Sequence, residues 1–166
     1  EHHFVLLEKE VPHAVRICQM VEGIPLGVEL AAAWVQTRSC QEIAQEIEHN
    51  LDVLTTRLHG VPERHQSIRA TFEHSWQLLS QAEKDLLARL SVFQGGFQWK
   101  AASVVAEASL STLSALLDKS LVRRISSNRY DMHALLKQYA AEKLGAALQE
   151  RKQTEDRHIR YFATFL

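Results

Sequence analysis

Residues 130–140, with the sequence YDMHALLKQYA, predict the end of a β-strand that runs directly into an amphipathic helix. Apolar residues recur there at helical spacing and would form one buried face: Leu135, Leu136, Tyr139, Ala140 and Leu144. His133 lies at the junction, in the first helical turn, where unpaired backbone N–H groups and the helix dipole favour an anion. Two roles for His133 therefore stay open: capping and packing of the helix, or contact with a phosphate.

The segments around this stretch predict a winged helix-turn-helix domain. Residues 121–125 and 129–132 are β-prone and flank the turn sequence Ser126-Ser127-Asn128, which predicts a two-stranded hairpin. Upstream, Ser80 and Glu83 have the spacing of a capping box, and two further helices are predicted over 99–108 and 110–120. Helices followed by a hairpin and a closing helix are the order of a winged helix. The predicted fold class is mainly α, a small helical bundle followed by this winged domain with its two-stranded wing.

The N-terminal third of the chain predicts the helical bundle. Pro12 and Pro25 each suit a first helical turn, Gly23 suits the stop between them, and Ser39 with Glu42 forms a second capping box. The sequence His-Gly-Val-Pro at 59–62 breaks the apolar pattern and predicts a domain boundary. The predicted domains are residues 1–62, 63–147 and 148–166, the last being the start of a further helical or repeat region.

Composition restricts the class of protein. The 166 residues are 46% hydrophobic and 23% charged with a net charge of −1, so the chain as a whole offers no basic field for nucleic acid. Cys18 and Cys40 lie in predicted helices and are expected to be free thiols. The longest apolar run, 24–35, is too short for a membrane span and contains Glu29. We therefore expect a cytoplasmic protein without membrane contact. The sequence starts without Met and ends within a helical pattern of apolar residues, which predicts that it is a piece of a longer chain.

The chemistry needed for catalysis is missing from the sequence. No G-x-x-x-x-G-K-[ST] phosphate loop occurs, and no apolar strand ends in paired acids that would bind Mg²⁺. The nine histidines include no H-E-x-x-H motif and no Cys/His pair at zinc-finger spacing. The chain by itself is therefore predicted to be neither an enzyme nor a metal protein, and alone it is expected to hold no cofactor.

Five blocks, in order, resemble the STAND signal-transduction ATPases, which are bacterial relatives of NB-ARC proteins. The blocks are GIPLGVELAAA at 23–33, RHQSIRA with SWQLL at 64–70 and 75–79, LSVFQGGF at 90–97, LLDKSLV at 116–122 and MHALLKQYA at 132–140. The resemblance covers nearly the whole chain. It implies that the first 60 residues are the helical domain that follows a P-loop nucleotide-binding domain, that the winged helix comes next, and that a helical-repeat sensor begins at the last helix.

The same resemblance implies partners, a cofactor and site residues. In a longer protein, ADP or ATP would be held between the upstream P-loop domain and this chain, and nucleotide exchange would drive self-association or effector output. Pro25 would pack on the adenine ring and His133 would reach the phosphates. Arg64 and Arg69 would either face the nucleotide or pair with acidic residues. Relatives with a Met-His-Asp triplet have aspartate where this chain has Ala134. The implied function is a module that clamps ADP and relays nucleotide state in signalling or transcriptional control.

A winged helix that binds DNA in a transcription regulator is the alternative function. Arg123, Arg124 and Arg129 in the predicted wing suit phosphate or minor-groove contacts. The predicted recognition helix is poor in such groups, since it offers mainly Ser111, Thr112, Ser114, Asp118 and Lys119. Three arginines on a nearly neutral chain fall short of the several phosphates that a DNA-binding protein usually neutralises. DNA is therefore retained as a partner that the sequence favours less than the nucleotide-binding domain.

Overall fold

The computed structural model describes residues 6–35, 37–55 and 67–165. The chain divides into two compact units, unit 1 (Glu1–Gln77) and unit 2 (Leu78–Leu166). Each unit has its own helices and its own core, and each is described by itself.

Unit 1 is helical in all its described elements. Its described helices are α1 (Val11–Met20), α2 (Pro25–Ala32), α3 (Cys40–His49) and α4 (Ile68–Gln77). A short 3₁₀ turn at Glu8–Glu10 comes directly before α1, and a second one, Leu51–Val53, lies between α3 and α4. The predicted start and stop signals of these helices are confirmed. Pro12 and Pro25 lie in first turns, Gly23 has a φ of +72°, and Ser39 and Glu42 form the capping box.

The core of unit 1 lies between α1, α3 and the second 3₁₀ turn. Its completely buried side chains include Val21, Ile43, Ile47, Leu51, Leu54 and Ile68. Cys40 is buried and Cys18 exposed, both as free thiols, and burial raises the pKa of the Cys40 thiol. Ile17 and Val21 of this unit face the core, whereas Val15 and Cys18 lie outward.

Helix α4 belongs to unit 1, so the division falls at residue 77 rather than at the predicted residue 62. The reason is local pairing at the start of the helix. The Ile68 N–H donates to the Leu54 carbonyl at 3.1 Å, and Thr55 and Ser67 form an isolated antiparallel bridge. The predicted boundary sequence at 59–62 itself lies outside the described residues.

Unit 2 has the predicted order of helices, hairpin and closing helix. Its elements are α5 (Gln81–Leu90), α6 (Trp99–Val105), α7 (Leu110–Asp118), β1 (Arg123–Ser126), β2 (Arg129–Asp131), α8 (Ala134–Ala146) and α9 (Leu148–Ala163). The capping box of Ser80 and Glu83 is present, and Ser109 caps α7 through a hydrogen bond from the Thr112 N–H. The apolar face predicted for α8 is buried, which confirms the winged helix-turn-helix fold.

The wing is an antiparallel pair in which Arg123 lies opposite Asp131 and Arg124 opposite Tyr130, with a bulge before Ser126. A further strand-like contact extends it. Phe97 and Tyr130 exchange two backbone hydrogen bonds of 2.8 Å, and their rings stack with centroids 5.9 Å apart. The loop before α6 therefore ends in a residue, Phe97, that pairs with β2.

Helix α9 is part of unit 2. It packs along α6 and α8 and buries Thr154 completely. The helix predicted to open a separate region at residue 148 therefore contributes to the core of the winged-helix unit. Within the described ranges, no single helix is long and apolar enough to cross a membrane, and only the sharply bent pair α6 and α7 passes that test jointly.

Candidate functional site

His133 is the N-cap of α8. Its Nδ1 accepts a hydrogen bond from the Leu135 N–H at 3.1 Å, and its ring is half-buried. A ring nitrogen that accepts a hydrogen bond carries no proton, so the neutral ring has its proton on Nε2. The capping role considered for His133 is thus present. Contact of this ring with a phosphate stays a prediction.

Lys137 lies one helical turn beyond His133. Its Nζ donates to the Gln94 side-chain oxygen at 2.9 Å. Burial lowers the pKa of this lysine, while the nearby Asp131 carboxylate acts in the opposite direction. The start of α8 therefore presents a histidine and a half-buried lysine at the i, i+4 spacing that places two side chains on one helix face. Lysine at this position was not singled out from the sequence, although the spacing from His133 was visible there.

Pro25 is exposed at the first position of α2. The backbone before it is fixed by two residues in the left-handed region, Glu22 with a φ of +46° and Gly23 with a φ of +72°. Gly27, two residues later, allows close packing, because a Cβ there would lie 3.0 Å from the Cβ of Val21. Pro25 is therefore a rigid surface position in unit 1. Its contact with adenine stays a prediction.

Arg69 forms an ion pair with Asp52 inside unit 1. The pair joins the first turn of α4 to the second 3₁₀ turn, and the guanidinium is partly buried. This is the structural alternative considered for Arg69, pairing with an acidic residue. Arg64 lies outside the described residues.

The three wing arginines are exposed, and each also has a partner within unit 2. Arg123 pairs with Asp131 at 2.9 Å, Arg124 donates to the carbonyls of Ser126 and Ser127, and Arg129 donates to the Gly95 carbonyl at 2.6 Å. These contacts fix the wing and its neighbouring loop. A guanidinium has five N–H donors, so these contacts use only part of the hydrogen-bonding capacity of each arginine.

Helix α7 occupies the recognition-helix position of the winged fold and contains neither lysine nor arginine. Lys119 follows at its C-cap and is bound to Glu83 of α5 at 2.6 Å. That contact lowers the pKa of the Glu83 carboxyl, and the capping hydrogen bond from the Ser80 N–H lowers it further by a smaller amount. The exposed face of α7 is thus neutral to acidic, with Ser111, Ser114 and Asp118 outward.

A metal centre has no candidate ligands in the described part of the chain. No group of three or more His, Cys, Asp or Glu side chains converges there.

Comparison with known proteins assigns the class of unit 2. Residues 79–145 match the model of a family described as a winged helix-turn-helix domain. The match begins just before α5 and ends in the last turn of α8, so it contains the wing and His133. Unit 2 therefore contains a winged helix-turn-helix domain.

Relatives that are similar over most of this chain come from mycobacteria. A Mycobacterium bovis protein named "Putative HTH-type transcriptional regulator" is 37% identical over 139 residues, which is 78% of this chain and 16% of that protein. An uncharacterized Mycobacterium tuberculosis protein is 34% identical over 140 residues, 77% of this chain and 35% of that protein. The chain thus spans only a minor part of the length of these relatives.

A solved structure shares the fold. It is a Signal Transduction ATPase with Numerous Domains (STAND) protein with a tetratricopeptide repeat sensor from Pyrococcus horikoshii. The match has a TM-score of 0.50 and 22% sequence identity, and it covers 82% of this chain and 21% of that chain. At this identity the likeness concerns the fold alone.

Proposed function

We propose that the chain is a regulatory, non-catalytic module of a larger transcription regulator and that its winged-helix unit relays nucleotide state. The observation that carries the proposal is His133, an imidazole held by its own cap hydrogen bond at the N-terminus of α8. The helix N-terminus favours an anion beside this ring, which supports contact with a phosphate. Pro25 supplies the second expected contact, with the adenine ring, from the rigid start of α2.

The proposal places ADP or ATP between this chain and an upstream P-loop domain, with a helical-repeat sensor downstream. The motif resemblance supports it, and the shared fold with the Pyrococcus STAND protein is consistent with it. In the resting state the module would clamp ADP, and exchange for ATP would release the clamp and permit self-association.

ADP release from a form of the protein that includes the P-loop domain tests the clamp. His133→Ala removes both the cap and the imidazole, whereas His133→Asn keeps a good N-cap and removes the imidazole. The proposal expects faster ADP release in both variants and in Pro25→Ala. If asparagine restores wild-type release, His133 is only a cap and the clamp assignment is wrong.

DNA binding by the wing is the second candidate function. The family description and the name of the M. bovis relative support it more directly than they support nucleotide relay. In its favour, the wing exposes Arg123, Arg124 and Arg129. Against it, these arginines have intramolecular partners and α7 contributes no cation.

Fluorescence anisotropy with random-sequence duplex DNA at low salt separates the two functions. If the wing contacts DNA, replacing the three wing arginines with glutamine should weaken binding strongly. The log–log slope of affinity against salt should also become less steep by about 0.9 for each lost phosphate contact. Replacing the exposed Arg151, Lys152 and Arg160 of α9 with glutamine removes the same charge elsewhere in unit 2 and is the matched control. Equal losses in both triple variants would indicate non-specific attraction rather than a wing interface.

A further inference from the structure

The turn of the helix-turn-helix, residues 106–109 between α6 and α7, has a constrained backbone. Helix α6 ends at Val105, and the N–H groups of Ala106 and Ala108 both donate to the Ala102 carbonyl, at 3.0 and 3.2 Å. Glu107 between them has a φ of +55°. A residue other than glycine is strained in the left-handed region, so contacts from outside the turn help to hold it there.

Two arginines from other helices supply those contacts. Arg157 of α9 donates from Nε to the Val105 carbonyl at 2.8 Å. Arg89 of α5 donates from Nη1 to the Glu107 carboxylate at 2.7 Å and approaches the Ala106 carbonyl at 3.4 Å. The carbonyls at a helix C-terminus have no partner within the helix, so side-chain donors of this kind complete its end.

The two arginines form one network with two glutamates. Glu150 of α9 accepts from Arg89 Nε at 2.6 Å and lies 3.8 Å from Arg157, which in turn lies 3.4 Å from Glu107. The arginine side chains are only 18% and 24% exposed. Partial burial and shared partners distinguish this network from an isolated surface ion pair, which contributes little.

Helix α9 is seated against α6 through small residues. Ala101, Ala102 and Val105 are buried on α6, and Thr154 is completely buried on α9. Further along α9, His158 and Phe162 pack against Phe93, while Ile159 and Phe165 remain 67% and 68% exposed. Helix α9 therefore contacts the helix-turn-helix mainly through the polar network and through the small buried residues around Thr154.

We infer that α9 is a conformational control element for the helix-turn-helix. While docked, it holds the turn at residues 106–109 through Arg157 and Glu150, and its displacement releases the turn without unfolding α5 and α8. The matched winged-helix family region ends at residue 145, before α9 begins at Leu148. Force or binding applied to α9 would reach the position of α7 through this turn.

Native-state amide hydrogen exchange of this chain, followed by NMR at increasing urea, tests the inference. The N–H groups of Ala106 and Ala108 report on the turn, and those of Thr154 and His158 report on α9. If the two segments open together, both sets share one opening free energy and one urea dependence, below those of Leu87 and Tyr139 in the core. Arg157→Gln should speed exchange of both sets by about ten- to a hundredfold, the weight of one charge-assisted hydrogen bond.

Arg160→Gln is the matched control. Arg160 lies on the same helix, is 78% exposed and pairs with Asp156, so its loss removes the same charge without touching the turn. It should leave both sets of exchange rates unchanged. The inference is wrong if the turn and α9 open with different free energies in the wild-type chain, or if both open only when Leu87 and Tyr139 do. The wild-type measurement alone decides this, so a variant that fails to fold does not remove the test.

Discussion

Replacing Gly96 with alanine should destabilise unit 2 more than any other glycine-to-alanine change in its loops. Gly96 has a φ of +87°, and a Cβ built on it would lie 2.6 Å from the Tyr130 carbonyl oxygen. That oxygen accepts the Phe97 N–H bond that joins the loop to the wing. The added methyl group must therefore push the loop away from β2.

The size of the effect follows from the contacts that are lost. The two Phe97–Tyr130 hydrogen bonds contribute about 1 kcal/mol each, and the left-handed backbone adds about 1–2 kcal/mol of strain for alanine. We expect the free energy of unfolding of unit 2 to fall by about 3–4 kcal/mol, with displaced NMR signals for Phe97 and Tyr130. Urea titration followed by amide signals of unit 2 measures the change separately from unit 1.

Two glycines of the same unit are controls. Gly95 has a φ of +72° but open space around its Cβ position, so Gly95→Ala should cost only the strain, about 1–2 kcal/mol. Gly145 lies inside α8 with open space, and Gly145→Ala should stabilise by about 0.5–1 kcal/mol. If Gly96→Ala costs no more than Gly95→Ala, the close approach to Tyr130 does not constrain the wing.

Three further predictions concern caps and titrating groups of unit 2. Ser80→Ala removes the capping box of α5 and should lower the free energy of unfolding by about 1 kcal/mol in the same urea titration. Burial lowers the pKa of His158, so the folded state takes up a proton less readily than the unfolded state. The free energy of unfolding should therefore be constant above about pH 6.5 and fall below it, and His158→Gln should remove that part of the pH dependence. The hydrogen bond from Lys119 holds the pKa of Glu83 low, so the ionised carboxylate stabilises the folded state above about pH 4.3 and this stabilisation is lost as the pH falls further. Lys119→Met should raise the Glu83 pKa in an NMR titration, and an unchanged value would contradict the pairing.

Much of the fold was predictable because its signals are local. Both capping boxes depend on residues three positions apart, and the prolines and Gly23 act within a single turn. The buried face of α8 depends on helical periodicity alone. Position 133 was likewise identified as a helix start, and its capping bond confirms the local part of that prediction.

The partners of charged side chains were not predictable in this way. Arg157 bonds to Val105, 52 residues away in sequence, and Arg89 to Glu150, 61 residues away. Periodicity and spacing contain no information about such pairs, because any exposed arginine could have several acidic neighbours. The intramolecular partners of the wing arginines, which are Asp131 and backbone carbonyls, were not predictable for the same reason.

The sequence by itself determined the order of helices and wing, the starts of the capped helices, and the absence of a phosphate loop from this chain, since each depends on residues close together along it. Tertiary structure alone decided that α4 belongs to unit 1, that Phe97 extends the wing, and that α9 completes unit 2. These outcomes depend on which surfaces meet after the chain has folded back on itself. His133 shows both contributions, because its place at a helix start is local, whereas any phosphate that it contacts must come from another domain.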